Sequence, residues 1–100
     1  MRLKDKVALV TGAGSGIGES IALGFSKEGA LVVCADLDLS KAKQTALKIS
    51  ENETKSIAVQ ADVGIASDCE KQVNLTIKKF GQIDILVNNA GVGFHRLFLD

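Results

Sequence analysis

Four short apolar runs constrain the fold more than any other feature of the chain. Val7-Ala8-Leu9-Val10, Leu31-Val32-Val33-Cys34-Ala35, Ser56-Ile57-Ala58-Val59 and Ile83-Asp84-Ile85-Leu86-Val87 are rich in β-branched residues and bounded by turn formers. Such runs lack the alternation of a half-solvated strand, which predicts strands covered on both faces and hence a parallel sheet. Three helical patterns lie between them. Ile17, Ile21 and Phe25 recur at i, i+4 and i+8, and Gly29 follows where a left-handed cap would end the helix. Ala42, Ala46 and Ile49 form a weaker stripe behind Ser40, the expected N-cap. Cys69, Val73, Ile77 and Phe80 form the third stripe, with Ser67-Asp68-Cys69-Glu70 read as a capping box before it and Gly81 as its stop. The order is βαβαβαβ. Connections of this length between parallel strands cross over right-handedly, so a doubly wound α/β sheet is expected.

A chain of 100 residues, 46% hydrophobic and 24% charged, fits one globular unit, and residues 1–100 are read as a single domain. Twelve basic and twelve acidic side chains cancel, leaving no field to draw nucleic acid or an anionic membrane. The charged start Met1-Arg2-Leu3-Lys4-Asp5-Lys6 precedes an apolar run too short for a signal peptide or a membrane span, so a cytoplasmic location is expected. Cys34 and Cys69 share no metal-ligand spacing and read as reduced core thiols.

The first connection is rich in glycine. Thr11-Gly12-Ala13-Gly14-Ser15-Gly16-Ile17-Gly18 falls between the first strand and the first helix, where glycine is costly unless the backbone requires it. A helix N-terminus offers unpaired N–H groups and the positive end of a dipole, so this turn can hold a diphosphate largely by backbone. The bland alternative is a connection that merely packs helix on strand. A P-loop ends in Gly-Lys-Ser/Thr, whereas Gly18 is followed by Glu19-Ser20, and that reading fails. GxGxxG fails as well, because counting from Gly12 and Gly14 the last position is Ile17. GxxxGxG fits at Gly12, Gly16 and Gly18. A literal GxGxG at Gly12, Gly14 and Gly16 keeps a methyltransferase-type nucleotide site open.

Asp36 ends the second strand, where a parallel sheet brings it beside the glycine turn. A carboxylate there accepts both hydroxyls of an adenine ribose. A 2′-phosphate would meet that charge with Asp38 close by, and neither Ser15 nor Leu37 supplies a cation to offset the repulsion. NAD is therefore expected over NADP. The competing reading makes Asp36 a turn or N-cap residue of the helix that starts near Ser40.

The glycine turn, Asp36, Asp62-Val63 and Asn88-Asn89-Ala90-Gly91 together stand in an order and spacing that resembles the short-chain dehydrogenase/reductase family, from about Lys6 to Gly91. The methyltransferase alternative has no use for the closing Asn-Asn-Ala-Gly. The resemblance implies a Rossmann-type sheet of strand order 3-2-1-4, with the first two helices on one face and the third on the other, and a nicotinamide cofactor. It further implies that Gly12, Ser15, Gly16, Ile17 and Gly18 line the diphosphate and that Asp36 holds the adenosine ribose. Asp62 and Val63 would contact adenine, and Asn89, Ala90 and Gly91 would lie along the nicotinamide-side ribose. Asn88 would tie neighbouring strands together.

Family members interconvert alcohols and carbonyls with a serine on the fifth strand and a Tyr-x-x-x-Lys pair, whose lysine tunes the tyrosine as proton carrier. Those elements would lie beyond Asp100, and this chain contains no tyrosine. The resemblance thus reads it as the NAD-binding portion of an oxidoreductase, truncated after the fourth strand, with no catalytic residue and no metal ligand of its own. The alternatives are an adenine-nucleotide-binding module without chemistry and a structural or self-associating fragment. His95 and Arg96 read as solvated loop residues, and Phe94, Leu97, Phe98 and Leu99 as the start of an apolar wall. An uncovered edge at the fourth strand would invite a second copy.

Overall fold

The computed structural model describes residues 2–14, 16–51, 55–62 and 65–89. Each apolar run forms a strand and each helical pattern a helix, in the order β1 (Val7–Thr11), α1 (Gly16–Lys27), β2 (Leu31–Asp36), α2 (Leu39–Ser50), β3 (Ser56–Gln60), α3 (Ala66–Phe80) and β4 (Ile85–Asn88). Every pairing is parallel and the sheet order is β3-β2-β1-β4, the expected Rossmann-type arrangement. Thr11 pairs with Ala35 on one side and Asn88 on the other, while Asp36 pairs with Gln60, so the C-terminal strand ends stand level along one edge.

The sheet is covered as the crossovers require. Val10, Val32 and Cys34 pack with Ala22, Ala42, Ala46 and Ile49 of α1 and α2 on one face. Leu9, Val33, Ala35 and Val59 pack with Val73 and Phe80 of α3 on the other. Val7, Leu9, Val10, Val32, Val33 and Ile49 are wholly buried, and each such side chain contributes roughly 1.5–3 kcal/mol. The centre of the sheet therefore carries the stability, whereas β4 is only half-buried along its whole length.

Two helix stripes differ from expectation. In α1 the buried row is Gly18, Ala22 and Ser26, whereas Ile17 is 71% exposed and Ile21 and Phe25 flank the core. The buried row starts one position later, at Gly18, so Ile17 lies on the solvent side while Ile21 and Phe25 pack at the margin of the core. In α3 the buried residues are Gln72 and Thr76, and Ile77 is 47% exposed. Thr76, not Ile77, continues the row of Cys69, Val73 and Phe80, and its hydroxyl is satisfied by donating to the Gln72 carbonyl at 2.8 Å.

The helix starts also differ. The N-cap of α2 is Asp38 rather than Ser40, with its carboxylate accepting from the Ser40 and Lys41 N–H groups. The expected capping box at Ser67 does not form: α3 begins at Ala66 behind Ile65, whose side chain makes no cap bond. Asp68 instead turns back to accept the Asp62 N–H at 2.9 Å. The expected left-handed stop at Gly81 is present with φ 85°, and Gly29 adopts φ 97° after α1. The last strand begins two residues later than its apolar run. Asp84 N–H donates to the Val7 carbonyl and its carboxylate accepts the Val7 N–H, both at 2.8 Å, so this residue closes the sheet entrance before the ladder starts at Ile85. Accepting that bond, and another from Gln82, lowers the Asp84 pKa.

No helix among the described residues is long and apolar enough to cross a membrane.

Candidate dinucleotide site

The chain leaves β1 at Thr11 and re-enters regular structure at Gly16, so the turn is built on the most buried strand of the sheet. Gly12 and Gly16 adopt φ 63° and 60°, a left-handed backbone that glycine enters without steric cost. Gly18 is required for a different reason. A methyl group there would sit 1.9 Å from the Gly12 carbonyl oxygen and 2.7 Å from Asn89 Nδ2. The start of α1 is thereby pressed against the turn that precedes it. In front of Gly16, by contrast, a methyl group would meet nothing within 4 Å. Open space thus faces the first turn of a 12-residue helix, whose initial N–H groups have no partner inside the helix.

The turn is clamped from behind. Ala13 N–H donates to the Ala35 carbonyl at 3.0 Å, and the wholly buried Thr45 hydroxyl of α2 donates to the Ala13 carbonyl at 2.9 Å. Gly14 N–H donates to Asp36 Oδ2 at 2.8 Å, and Asp38 N–H to Asp36 Oδ1 at 2.9 Å. Asp36 is therefore half-buried with each oxygen holding one backbone N–H, and a carboxylate's roughly four acceptor sites leave others for a ligand. The capping role falls to Asp38, whose pKa is lowered mainly by the Ser40 hydroxyl and then by the Lys41 N–H. This removes the reading of Asp36 as the N-cap. Asp36, Leu37, Asp38, Leu39, Ser40, Lys41 and Gln60 line a shallow groove of about 630 Å³. Lys41 contributes a cation there that reading the sequence around Ser15 and Leu37 did not place.

On the other side of β1, Thr11 Oγ1 is 3.0 Å from Asn88 Oδ1 and 3.3 Å from the Val87 carbonyl as a donor, and it accepts the Asn89 N–H at 2.9 Å. Asn88 thus ties β4 to β1 as expected, and the same hydroxyl holds Asn89 beside Gly18. Asp62 follows β3, half-buried, with its N–H anchored to Asp68. Gly12, Gly16, Ile17, Gly18, Asp36, Asp62 and Asn89 lie along the C-terminal edge of the sheet. Ser15, Val63, Ala90 and Gly91 lie outside the described residues, as do Phe94, His95, Arg96, Leu97, Phe98 and Leu99.

Sequence reading missed Thr45, the Thr11 hydroxyl and Asp68, whose partners lie on other elements. Nucleophilic chemistry at Cys34 is disfavoured, because burial pushes its thiol up to about 11. Among the described residues no disulfide forms and no cluster of metal-binding side chains occurs.

Comparison with known proteins agrees with the fold described above. The family model described as short chain dehydrogenase matches residues 6–100. An uncharacterized oxidoreductase of Bacillus subtilis is 43% identical over 90 residues, covering 89% of this chain and 31% of its own length. A hydroxysteroid dehydrogenase from Escherichia coli superposes with a TM-score of 0.88 at 37% identity, over 91% of this chain and 39% of that one. A 3-ketoacyl-(acyl-carrier-protein) reductase from Brucella melitensis, solved in complex with NADH, gives 0.83 at 47% identity, over 91% and 36%. The chain spans about a third of the length of the curated relatives it matches. With the family model matching nearly all of it and the sheet order agreeing, this chain belongs to the short-chain dehydrogenase family of oxidoreductases.

Proposed function

We propose that this chain is the NAD(H)-binding portion of a cytoplasmic oxidoreductase that interconverts an alcohol and a carbonyl compound. The observation that carries the reading is the pairing of an open, clamped glycine turn with a half-buried carboxylate on the neighbouring strand end. The residues fit the cofactor: the space before Gly16 suits a diphosphate, which Gly16, Ile17 and Gly18 would line together with Ser15, with Gly12 shaping the turn. Asp36 would accept the adenosine ribose hydroxyls, Asp62 and Val63 would flank adenine, and Asn89, Ala90 and Gly91 would follow the nicotinamide-side ribose.

The bound dinucleotide would supply or take the hydride. The part of this chain's own residues is to bind and orient. Its N–H groups would bind the diphosphate, and Asn89, held by its N–H bond to the Thr11 hydroxyl, would border the nicotinamide side. With no tyrosine in the sequence, the acid–base step and the substrate pocket fall to other parts of the longer proteins this chain resembles. For the 100-residue chain by itself, that same lack of tyrosine favours a second reading, a module that holds an adenine nucleotide without reacting it.

Isothermal titration tests the proposal. NADH should bind in preference to NADPH, because the Asp36 carboxylate opposes a 2′-phosphate and Lys41 alone does not outweigh Asp36 and Asp38. Asp36→Ala combined with Leu37→Arg should shift the preference toward NADPH. A native preference for NADPH would contradict the role given to Asp36.

A further inference from the structure

We propose that Gly14 is a positioning residue for the adenosine end of the dinucleotide, joining the phosphate turn and the ribose carboxylate into one unit. The inference rests on the role proposed above for Asp36. Gly14 differs from its neighbours in the turn: Gly12 and Gly16 need their left-handed backbone, whereas Gly14 is not in that region. Space forbids a side chain there instead. A methyl group on Gly14 would lie 2.5 Å from Lys41 Cβ and 2.7 Å from Asp36 Oδ2. The first of these atoms is fixed to the helical backbone of α2, and the second is the oxygen that receives the Gly14 N–H at 2.8 Å. Bare backbone at this position therefore does two things at once: it lets α2 close on the turn, and it aims the carboxylate. A β-carbon here meets Asp36 at the edge of the groove it shares with Leu37, Ser40 and Lys41, so the carboxylate or the backbone around it must shift.

Binding of ADP and 2′-deoxy-ADP to the whole chain, read by titration calorimetry, separates this role from general support of the fold. The native chain should prefer ADP by roughly tenfold or more, the ratio expected for a hydroxyl donating to a charged acceptor. In Gly14→Ala that ratio should fall below about twofold. Gly14→Ala with Lys41→Gly relieves the contact with α2 but keeps the contact with Asp36, so it should recover part of the melting temperature, less the cost of a glycine in the helix, without recovering the ratio. A native ratio near one removes the Asp36 reading and this proposal with it. A normal native ratio that persists in Gly14→Ala, or returns in the double variant, overturns the proposal alone. Should neither variant fold, amide exchange decides: the Gly14 N–H of the native chain should exchange slowly and lose that protection in Asp36→Ala, and fast exchange in the native chain refutes the seat.

Discussion

Two glycines on one helix should respond to the same substitution with opposite signs. In α1, Gly18→Ala places a methyl group 1.9 Å from the Gly12 carbonyl oxygen, whereas at Gly24 the same methyl meets nothing within 4 Å. The Gly12 carbonyl would have to retreat by about 1.5 Å to reach ordinary van der Waals separation. It cannot do so freely, because the adjoining Ala13 is held by Ala35 in front and Thr45 behind. Overpacking costs about 1–3 kcal/mol, and a fixed backbone obstruction belongs at the top of that range. Alanine in place of a helical glycine returns about 1 kcal/mol. The net loss of about 2 kcal/mol should lower the melting temperature by about 8–16 °C in a domain of this size. Gly24→Ala keeps only the propensity gain of about 0.5–1 kcal/mol and should raise it by a few degrees. Thermal melting followed by far-ultraviolet circular dichroism measures both. Equal melting temperatures for the two variants would refute the close contact between α1 and the turn.

Gly16→Val should weaken NADH and NADPH together, since its β-carbon enters the open space before the helix and its φ of 60° suits only glycine; unchanged affinity would return the turn to a packing role. The isolated 100-residue chain should not consume NADH with a panel of ketones in stopped-flow absorbance, and turnover abolished by His95→Ala would overturn that. Asp38 and Asp84 have lowered pKa values in the fold, so their stabilising bonds are complete above the unfolded carboxyl value of about 3.9 and vanish as pH falls through the folded values. Urea midpoints should therefore drop below about pH 4, and less so in Asp38→Asn, whose amide still caps α2. Among the described residues β4 is an edge strand, which should promote self-association that Ile85→Lys reduces; a compact monomer at high concentration in sedimentation, with strong amide protection through β4, would contradict it.

The parallel sheet was legible because each strand is short, apolar and closed by glycine or a polar turn and because parallel crossovers permit few topologies, while the strand order came with the family resemblance. The candidate site was legible where one residue type answers one local need, as with Gly12, Gly16 and Gly18. What escaped was set by distant partners. Ser40 and Asp38 are both good N-caps, and only the chain's exit from Asp36, which holds the Asp38 N–H, decides between them. Asp68 looks like part of a capping box until the end of β3 supplies the Asp62 N–H. Thr45 sits in an alanine-rich stripe 32 residues from the carbonyl it holds, and nothing local marks it. The helix rows were misplaced because apolarity pointed to Ile17 and Ile77, whereas the buried positions are the neighbouring Gly18 and Thr76.

The placement of the turn follows from the same packing. β1 lies between β2 and β4, and all five of its residues are buried. It is the strand whose end has least freedom. The loop that leaves it is then held at three points: the Ala35 carbonyl and the Asp36 carboxylate of β2, and the Thr45 hydroxyl of α2. A turn that binds through backbone N–H groups has no side chain to readjust once a ligand arrives, so its affinity depends on how little it must reorganise. Weakening any of these three holds should therefore raise nucleotide dissociation constants even though none of the altered side chains belongs to the glycine turn, and Thr45→Val, which keeps the shape and removes only the hydroxyl, isolates the effect most cleanly.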